Sequence, residues 1–217
     1  MYGVISVVDV SSCNVVCELS GHKGWLVALV QLSDGRLASG SDDKTIKIWN
    51  LVSRVCEMTL QGHTSYVMSL LLLSDGRLAS GSCDKTIRLW NTSTGGCSST
   101  ATVTSSSGGV LSIAQLSDGR LVIGCGDGDV IIWDVIAWKQ ISVMKGHSNA
   151  VRAIAVLSDG RIATGSHDKT IMIWNMTTMT CDLTIAAHTN YVMSLTILSD
   201  GRLVSGSHDK TIKIWGK

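Results

Sequence analysis

The string Leu-Ser-Asp-Gly-Arg occurs five times, beginning at Leu32, Leu73, Leu116, Leu157 and Leu198, and a tryptophan follows each copy, at Trp49, Trp90, Trp133, Trp174 and Trp215. Both series advance by 41, 43, 41 and 41 residues. From Leu32 to Trp49, 15 of 18 positions are identical in the copy ending at Trp90, and 16 of 18 in the copy ending at Trp215. Near-identity at a fixed period of this length means one supersecondary unit copied five times. It restricts the chain to folds in which such units stack on one another. Composition carries the same mark: 217 residues include 22 Gly and 7 Trp but no Pro or Phe, a skew foreign to an average domain.

Within a unit, apolar residues recur at every second position, as in Thr45-Ile46-Lys47-Ile48-Trp49, which is the period of a strand. Ser33-Asp34-Gly35-Arg36 places Asp-Gly between two apolar runs, a hairpin signal because these residues accept positive φ. A second tight turn falls at Asp42-Asp43-Lys44. One unit therefore reads as four short strands, roughly residues 25–32, 37–41, 45–49 and 55–60, with no room for a helix. A four-stranded sheet of this size has two partly apolar faces that it cannot bury alone, so successive units must pack face to face and close into a ring. The expected fold is all-β: a β-propeller of five four-stranded antiparallel blades in a single domain, residues 1–217.

The period near 41 is joined by Gly-His ahead of the first strand, at Gly21-His22, Gly62-His63 and Gly146-His147, with Ala187-His188 as a variant. With the Asp-x-Thr-Ile turn and the closing Trp-Asn, which is Trp-Asp at Trp133-Asp134, these motifs resemble the WD-repeat family of propellers over nearly the whole chain. The resemblance implies a buried hydrogen-bond chain in each blade. The expected sets are His22, Ser39, Asp43, Trp49; His63, Ser80, Asp84, Trp90; His147, Thr164, Asp168, Trp174; and His188, Ser205, Asp209, Trp215. An indole N–H can only donate, a carboxylate can only accept, and His with a hydroxyl relays between them, so four buried polar groups satisfy one another. Ser41 and its equivalents are the alternative hydroxyl, since they share strand parity with Ser39. The third unit keeps Asp127 and Trp133 but has Ser106 for the His, Ile123 for the hydroxyl and two inserted residues, so its blade should be the softest.

The formal net charge of +1, from 18 Lys plus Arg against 17 Asp plus Glu, gives no field to attract a phosphate backbone, and nucleic acid is not an expected partner. The apolar start, Val4 to Val8, is too short for a signal peptide, and no run approaches a membrane span. Seven cysteines without a CxxC pair argue against a disulfide framework or a structural zinc site, so a reducing, cytoplasmic setting is expected. Cys56, Cys97 and Cys181, each seven residues after a Trp, read as small hydrophobes. Ser, His and Asp together invite a hydrolase reading, but the cluster recurs four times with no strained nucleophile turn and no oxyanion hole, so no catalytic residue and no cofactor is expected. His167 and His208 precede the turn Asp in adjacent units, with Cys83 at the same place in the second. Two imidazoles without a completing carboxylate or thiolate do not make a metal site. Asp34, Arg36 and their copies, and Lys44, Lys85, Lys169 and Lys210, read as solvated surface.

The resemblance implies a non-enzymatic interaction scaffold with a peptide or protein partner. The loop before the first strand (d–a) and the turn between the second and third strands (b–c) lie at one end of the blade and should surround a central opening. The expected partner-binding residues there are Trp25, Val27, Asp42, Tyr66, Met68, Cys83, Leu111, Arg152, His167, Tyr191, Met193 and His208. The aromatic residues could instead cap the inner strands. Two other functions fit the repeat: a multivalent carbohydrate-binding propeller, and a sensor array excised from a larger receptor or scaffold. Trp25, Tyr66, Gly109, Ala150 and Tyr191 differ at one equivalent position, which favours a single asymmetric ligand over five equal sites. Residues 15–19 match the outer strand of an earlier unit, so the N-terminus should complete the last blade and close the ring. Residues 5–9 compete for a strand already present, which should leave residues 1–9 frayed or displaced, and the protein a monomer or a strand-exchanged homodimer.

Overall fold

The computed structural model describes residues 3–104 and 108–216. Among them every regular element is a strand. The chain divides into two compact units, residues 1–100 and 101–217. The five propeller blades have the strand order expected of consecutive hairpins. Blade 1 is β3 (Leu26–Gln31), β4 (Leu37–Ser41), β5 (Ile46–Asn50) and β6 (Val55–Leu60). Blade 2 is β7 (Val67–Leu72), β8 (Leu78–Ser82), β9 (Thr86–Trp90) and β10 (Cys97–Thr102). In the second unit, blade 3 is β11 (Val110–Gln115), β12 (Leu121–Cys125), β13 (Val130–Asp134) and β14 (Lys139–Met144). Blade 4 follows as β15 (Val151–Val156), β16 (Ile162–Ser166), β17 (Ile171–Asn175) and β18 (Thr180–Ile185). Blade 5 has three strands, β19 (Val192–Ile197), β20 (Leu203–Ser207) and β21 (Ile212–Trp215).

The turns show why the repeat is spelled as it is. In each Leu-Ser-Asp-Gly-Arg copy the Gly alone takes positive φ, from 84° to 88°, and its N–H bonds the Leu carbonyl three residues back, as Gly35 does to Leu32 at 3.0 Å. The Asp does not enter the left-handed region. Its carboxylate accepts from the backbone N–H and guanidinium of the Arg two residues on, as in Asp34–Arg36 at 3.1 and 2.7 Å. At the other tight turn the left-handed residue is Lys44, Lys85, Lys169 and Lys210, with φ between 68° and 74°, and in blade 3 it is Gly128.

Blades pack through layers that lie inside each unit. Leu32, Ala38, Ile46, Ile48 and Leu60 of blade 1 meet Val67, Leu78 and Trp90 of blade 2. Val122, Val130 and Ile132 of blade 3 meet Val151, Ile162 and Trp174 of blade 4, and Ala163, Ile171 and Ile173 meet Val192 and Leu203. The glycine of the second strand makes these layers tight. A Cβ on Gly40, Gly124 or Gly165 would stand 2.8, 2.7 or 2.6 Å from the Cγ1 of Val67, Val151 or Val192, so the next blade's first valine occupies the space a side chain would fill.

The expected closure by the N-terminal strand is not what forms. The matching segment is a strand, β2 (Val15–Ser20), but its partner is β1 (Val4–Val8), from Val4↔Ser20 to Val8↔Val15. Blade 5 therefore stays three-stranded, and residues 4–8 are neither frayed nor displaced. The reason is proximity. β1 copies a third strand and β2 a fourth, and a short turn joins them, with the Asp9 carboxylate accepting the N–H groups of Ser11 and Ser12 at 2.8 and 2.9 Å. A hairpin partner this close costs less loop-closure entropy than one at the far end of the chain. The pair buries Ile5 and Leu19 against Trp49, as the latter half of one more blade would.

Candidate functional site

Four blades contain the expected polar chain. In blade 1, Trp49 Nε1 donates to Ser39 Oγ at 2.7 Å, Ser39 Oγ meets His22 Nε2 at 2.8 Å, and His22 Nδ1 meets Asp43 Oδ2 at 2.8 Å. The same contacts join Trp90, Ser80, His63 and Asp84; Trp174, Thr164, His147 and Asp168; and Trp215, Ser205, His188 and Asp209. A threonine missing from the sequence reading completes each. Thr45 Oγ1 donates to Asp43 Oδ1 at 2.7 Å and lies 3.3 Å from His22 Nδ1, with Thr86, Thr170 and Thr211 in the same place. Its signal was the repeated Asp-x-Thr. Burial raises the Asp43 pKa, but hydrogen bonds from Thr45, the Lys23 N–H and His22 outweigh it and bring the group down to about 2. Asp84, Asp168 and Asp209 lie well below the usual carboxylate range for the same kind of reason.

Serine to His Nε2 and His Nδ1 to Asp is the hydrogen-bond order of a hydrolytic triad. Here Ser39, Ser80, Thr164 and Ser205 are all 0% exposed, and each hydroxyl oxygen accepts an indole N–H. No substrate carbonyl can reach such an oxygen, so the arrangement holds the blade together rather than attacking a ligand. Blade 3 lacks the relay. Ile123 is buried where the hydroxyl would be, and Trp133 Nε1 has no hydrogen-bond partner among the described residues. Asp127 accepts from Gly108 and Asp129 N–H groups at 3.3 and 3.4 Å, longer than the equivalent bonds elsewhere. Ser106 lies outside the described residues.

The alternative hydroxyl has a different role, at the end of the blade expected to bind a partner. Ser41 Oγ accepts from Asp43 N–H, and Ser82, Ser166 and Ser207 accept likewise from Asp84, Asp168 and Asp209. The latter three also donate to the carbonyls of Ser65, Asn149 and Asn190 in the d–a loop. A backbone bond repeats the tie in every blade: Asp42 to Trp25, Cys83 to Tyr66, Gly126 to Gly109, His167 to Ala150 and His208 to Tyr191, at 2.9–3.0 Å. The d–a loop and b–c turn are thus one connected platform. Each first strand then carries a β-bulge, and the extra residue is Val27, Met68, Leu111, Arg152 or Met193, all five singled out in the sequence.

The first unit brings together Trp25, Val27 and Asp42 in blade 1, and Tyr66, Met68 and Cys83 in blade 2, with Trp25 63% and Tyr66 50% exposed. The second unit holds Leu111, Arg152, His167, Tyr191, Met193 and His208. His167 stacks on Tyr191, with ring centroids 4.2 Å apart and planes at 16°, and His208 flanks the same ring at 5.9 Å. Both imidazoles border this one tyrosine ring, and among the described residues no three of His, Cys, Asp or Glu are grouped to hold a metal ion. A cleft of about 360 Å³ opens beside Met193 and His208.

Two surface readings change. Arg36 is not simply solvated: its side chain is 17% exposed and donates to the Thr92 carbonyl at 3.0 Å, joining blade 1 to the turn of blade 2. Cys97 and Cys181 are exposed rather than packed as small hydrophobes. Their thiols, like that of Cys56, bond the carbonyl two residues on, at 3.3–3.4 Å, beside the irregular start of the outer strand.

The family model described as "WD domain, G-beta repeat" matches residues 13–50, 54–91, 97–134, 138–175 and 179–216. Short stretches resemble curated proteins. The chain is 43% identical over 42 residues to F-box/WD repeat-containing protein 7 of Drosophila melanogaster, covering 19% of this chain and 3% of that protein. It is 46% identical over 44 residues to the pre-mRNA-splicing factor PRP46 of Candida glabrata, covering 19% and 10%. It is 50% identical over 40 residues to the nuclear distribution protein PAC1 of Candida dubliniensis, covering 18% and 8%. The matched stretches thus span a tenth or less of these relatives. Among solved structures, the WD40 β-propeller domain of Doa1 superimposes with a TM-score of 0.82 at 27% identity, over 92% of this chain and 66% of that one. With five matched repeats over most of its length, and the Trp–Ser/Thr–His–Asp network in four of them, the chain belongs to the WD40 repeat family of β-propellers.

Proposed function

We propose that this chain is a non-enzymatic interaction scaffold that binds a peptide or protein partner at the end of its blades built from the d–a loops and b–c turns. One observation carries the reading: the backbone frame there is the same in all five blades, yet the side chains it presents are not. Trp25, Tyr66, Gly109, Ala150 and Tyr191 all offer their carbonyl to the b–c turn in the same way. A frame that repeats while its side chains vary suits one asymmetric ligand; a repeated glycan would be met by equal sites. Trp, Tyr, Met and Arg are residue types that supply contact area and forked hydrogen bonds at interface centres.

The test is capture of binding proteins by the wild type and by a Trp25→Ala, Tyr66→Ala, Tyr191→Ala variant with its fold checked by circular dichroism. The variant should lose the partner. Charge reversal at Arg77 and Arg202, which pair with Asp75 and Asp200 at the opposite end of the blade, should keep it. Arg36 is unsuited as a control because it holds Thr92. A partner kept by the aromatic variant and lost by the arginine one would place the site at the other end.

A further inference from the structure

Blade 5 keeps open a socket that its sister blades have filled. In blades 1, 3 and 4 the glycine of the second strand receives the first valine of the following blade: Val67 at Gly40, Val151 at Gly124 and Val192 at Gly165. The aliphatic residue paired with that glycine on the third strand closes one side, and Ile46, Val130 and Ile171 are all 0% exposed in the same clusters as those valines. In blade 3 a further contact holds the valine backbone: Ser112, opposite Gly124 on the first strand, donates to the Val151 carbonyl at 3.2 Å. Blade 5 repeats all three parts, with Gly206 paired to Ser194 on one side and Ile212 on the other. Among the described residues no valine reaches them. A Cβ on Gly206 would meet only Ser194 within 4 Å, Ile212 is 76% exposed, and Ser194 is exposed as well. The cleft of about 360 Å³ lies at this place, lined by Gly206, Ser194 and Ile212 together with Met193 and His208 of the platform.

We propose that this socket takes a valine side chain of the partner, presented on an extended segment that enters from the d–a and b–c end of blade 5. The inference rests on the interaction reading above and adds the residue that the partner must carry. Gly206 forms the floor, Ile212 an apolar wall, and the Ser194 hydroxyl a donor to the valine carbonyl, which is the arrangement that Gly124, Val130 and Ser112 already make around Val151. The occupant is thus fixed by an interface that this molecule forms three times and whose next place is vacant. An apolar side chain is required because it takes the exposed Ile212 out of water. A short β-branched one suits an extended backbone, where its rotamer is restricted before binding, and it packs closely over a residue that has no Cβ.

The probe is the capped peptide Thr-Asn-Tyr-Val-Met-Ser, the sequence of residues 189–194 that carries Val192 into the Gly165 socket, titrated into the whole chain and followed by the Gly206 amide and Ile212 methyl resonances. The peptide should shift both, and its valine-to-alanine form should bind about tenfold more weakly. Gly206→Val should abolish the shift at Ile212. It should also keep the fold, because Gly206 has no positive φ and only the Ser194 side chain stands near its missing Cβ. Ser194→Ala should weaken binding about fivefold through the lost donor. Equal binding of the alanine peptide, or unmoved Gly206 and Ile212 resonances, would overturn the inference. A concentration-dependent dimer in sedimentation that Gly206→Val dissociates would make the occupant a second copy of this chain and overturn it too. If these resonances stay unmoved and Gly206→Val keeps a partner that the aromatic triple variant loses, the socket inference falls and the interaction reading stands. A partner lost by Gly206→Val but kept by the aromatic variant would support the socket and count against the wider platform.

Discussion

Replacing a blade tryptophan by phenylalanine separates packing from hydrogen bonding, and blades 2 and 3 should answer with different magnitude. Trp90 and Trp133 are both buried, so the lost ring volume costs each about 1 kcal/mol. At Trp90 the change also removes the donor to Ser80 Oγ, 2.8 Å away, which adds about 1–2 kcal/mol. At Trp133 the indole N–H has no partner among the described residues, and deleting a buried unsatisfied donor recovers about 1–3 kcal/mol. Trp90→Phe should therefore cost about 2–3 kcal/mol and Trp133→Phe close to nothing or less. The two residues lie in different compact units, so urea melts should be read alongside hydrogen exchange in β7–β9 and β11–β13, which follows each unit separately. A loss at Trp133→Phe equal to that at Trp90→Phe would refute the polar-network reasoning.

Acid titration should expose the turn aspartates. The Asp43 pKa is depressed to about 2, so its stabilisation is complete above the ordinary carboxylate value and fades as pH falls toward 2; the deficit of Asp43→Asn in urea melts should shrink over that window. At the left-handed turn position, Lys169→Gly should gain up to about 1 kcal/mol by relieving a φ of 74°. Gly128→Lys should lose more than that, because its Cβ would lie 2.4 Å from the His147 carbonyl oxygen; equal and small effects in thermal melts would contradict both. Deleting residues 1–20 should strip the cover from Trp49 and reduce exchange protection in β3–β6, leaving β19–β21 unchanged. Loss of protection in β19–β21 would favour closure by the N-terminal strand.

Much of the blade was legible because the repeat compares the sequence with itself. Strands read as 25–32, 37–41, 45–49 and 55–60 appear as Leu26–Gln31, Leu37–Ser41, Ile46–Asn50 and Val55–Leu60, since period-two patterning and turn residues act locally. The limits are equally physical. Parity cannot separate Ser39 from Ser41, which point to the same face; register does, pairing Ser39 with Lys47 in the middle of the sheet while Ser41 ends the strand beside the d–a loop. Likeness to a fourth strand identified β2 but not its partner, because an edge accepts any strand within reach and β1 was nearer. The bulge that sets Arg152 and Met193 apart leaves no trace in hydrophobic alternation, although both residues were picked out by their place in the repeat. The stacking of His167 on Tyr191, with His208 tilted beside the same ring, depends on side-chain packing that no pattern within one repeat specifies.

The claim that the d–a and b–c end is the binding surface is tested most directly by photo-crosslinking in cells, with benzoylphenylalanine placed singly at Tyr66, Tyr191, Arg161 or Arg202. Tyr66 and Tyr191 are 50% and 38% exposed at the proposed end, and Arg161 and Arg202 are exposed at the hairpin end. The expected result is a discrete crosslinked partner from the two tyrosine positions and none from the arginines. A crosslinked partner from Arg161 or Arg202, with none from Tyr66 and Tyr191, would contradict it.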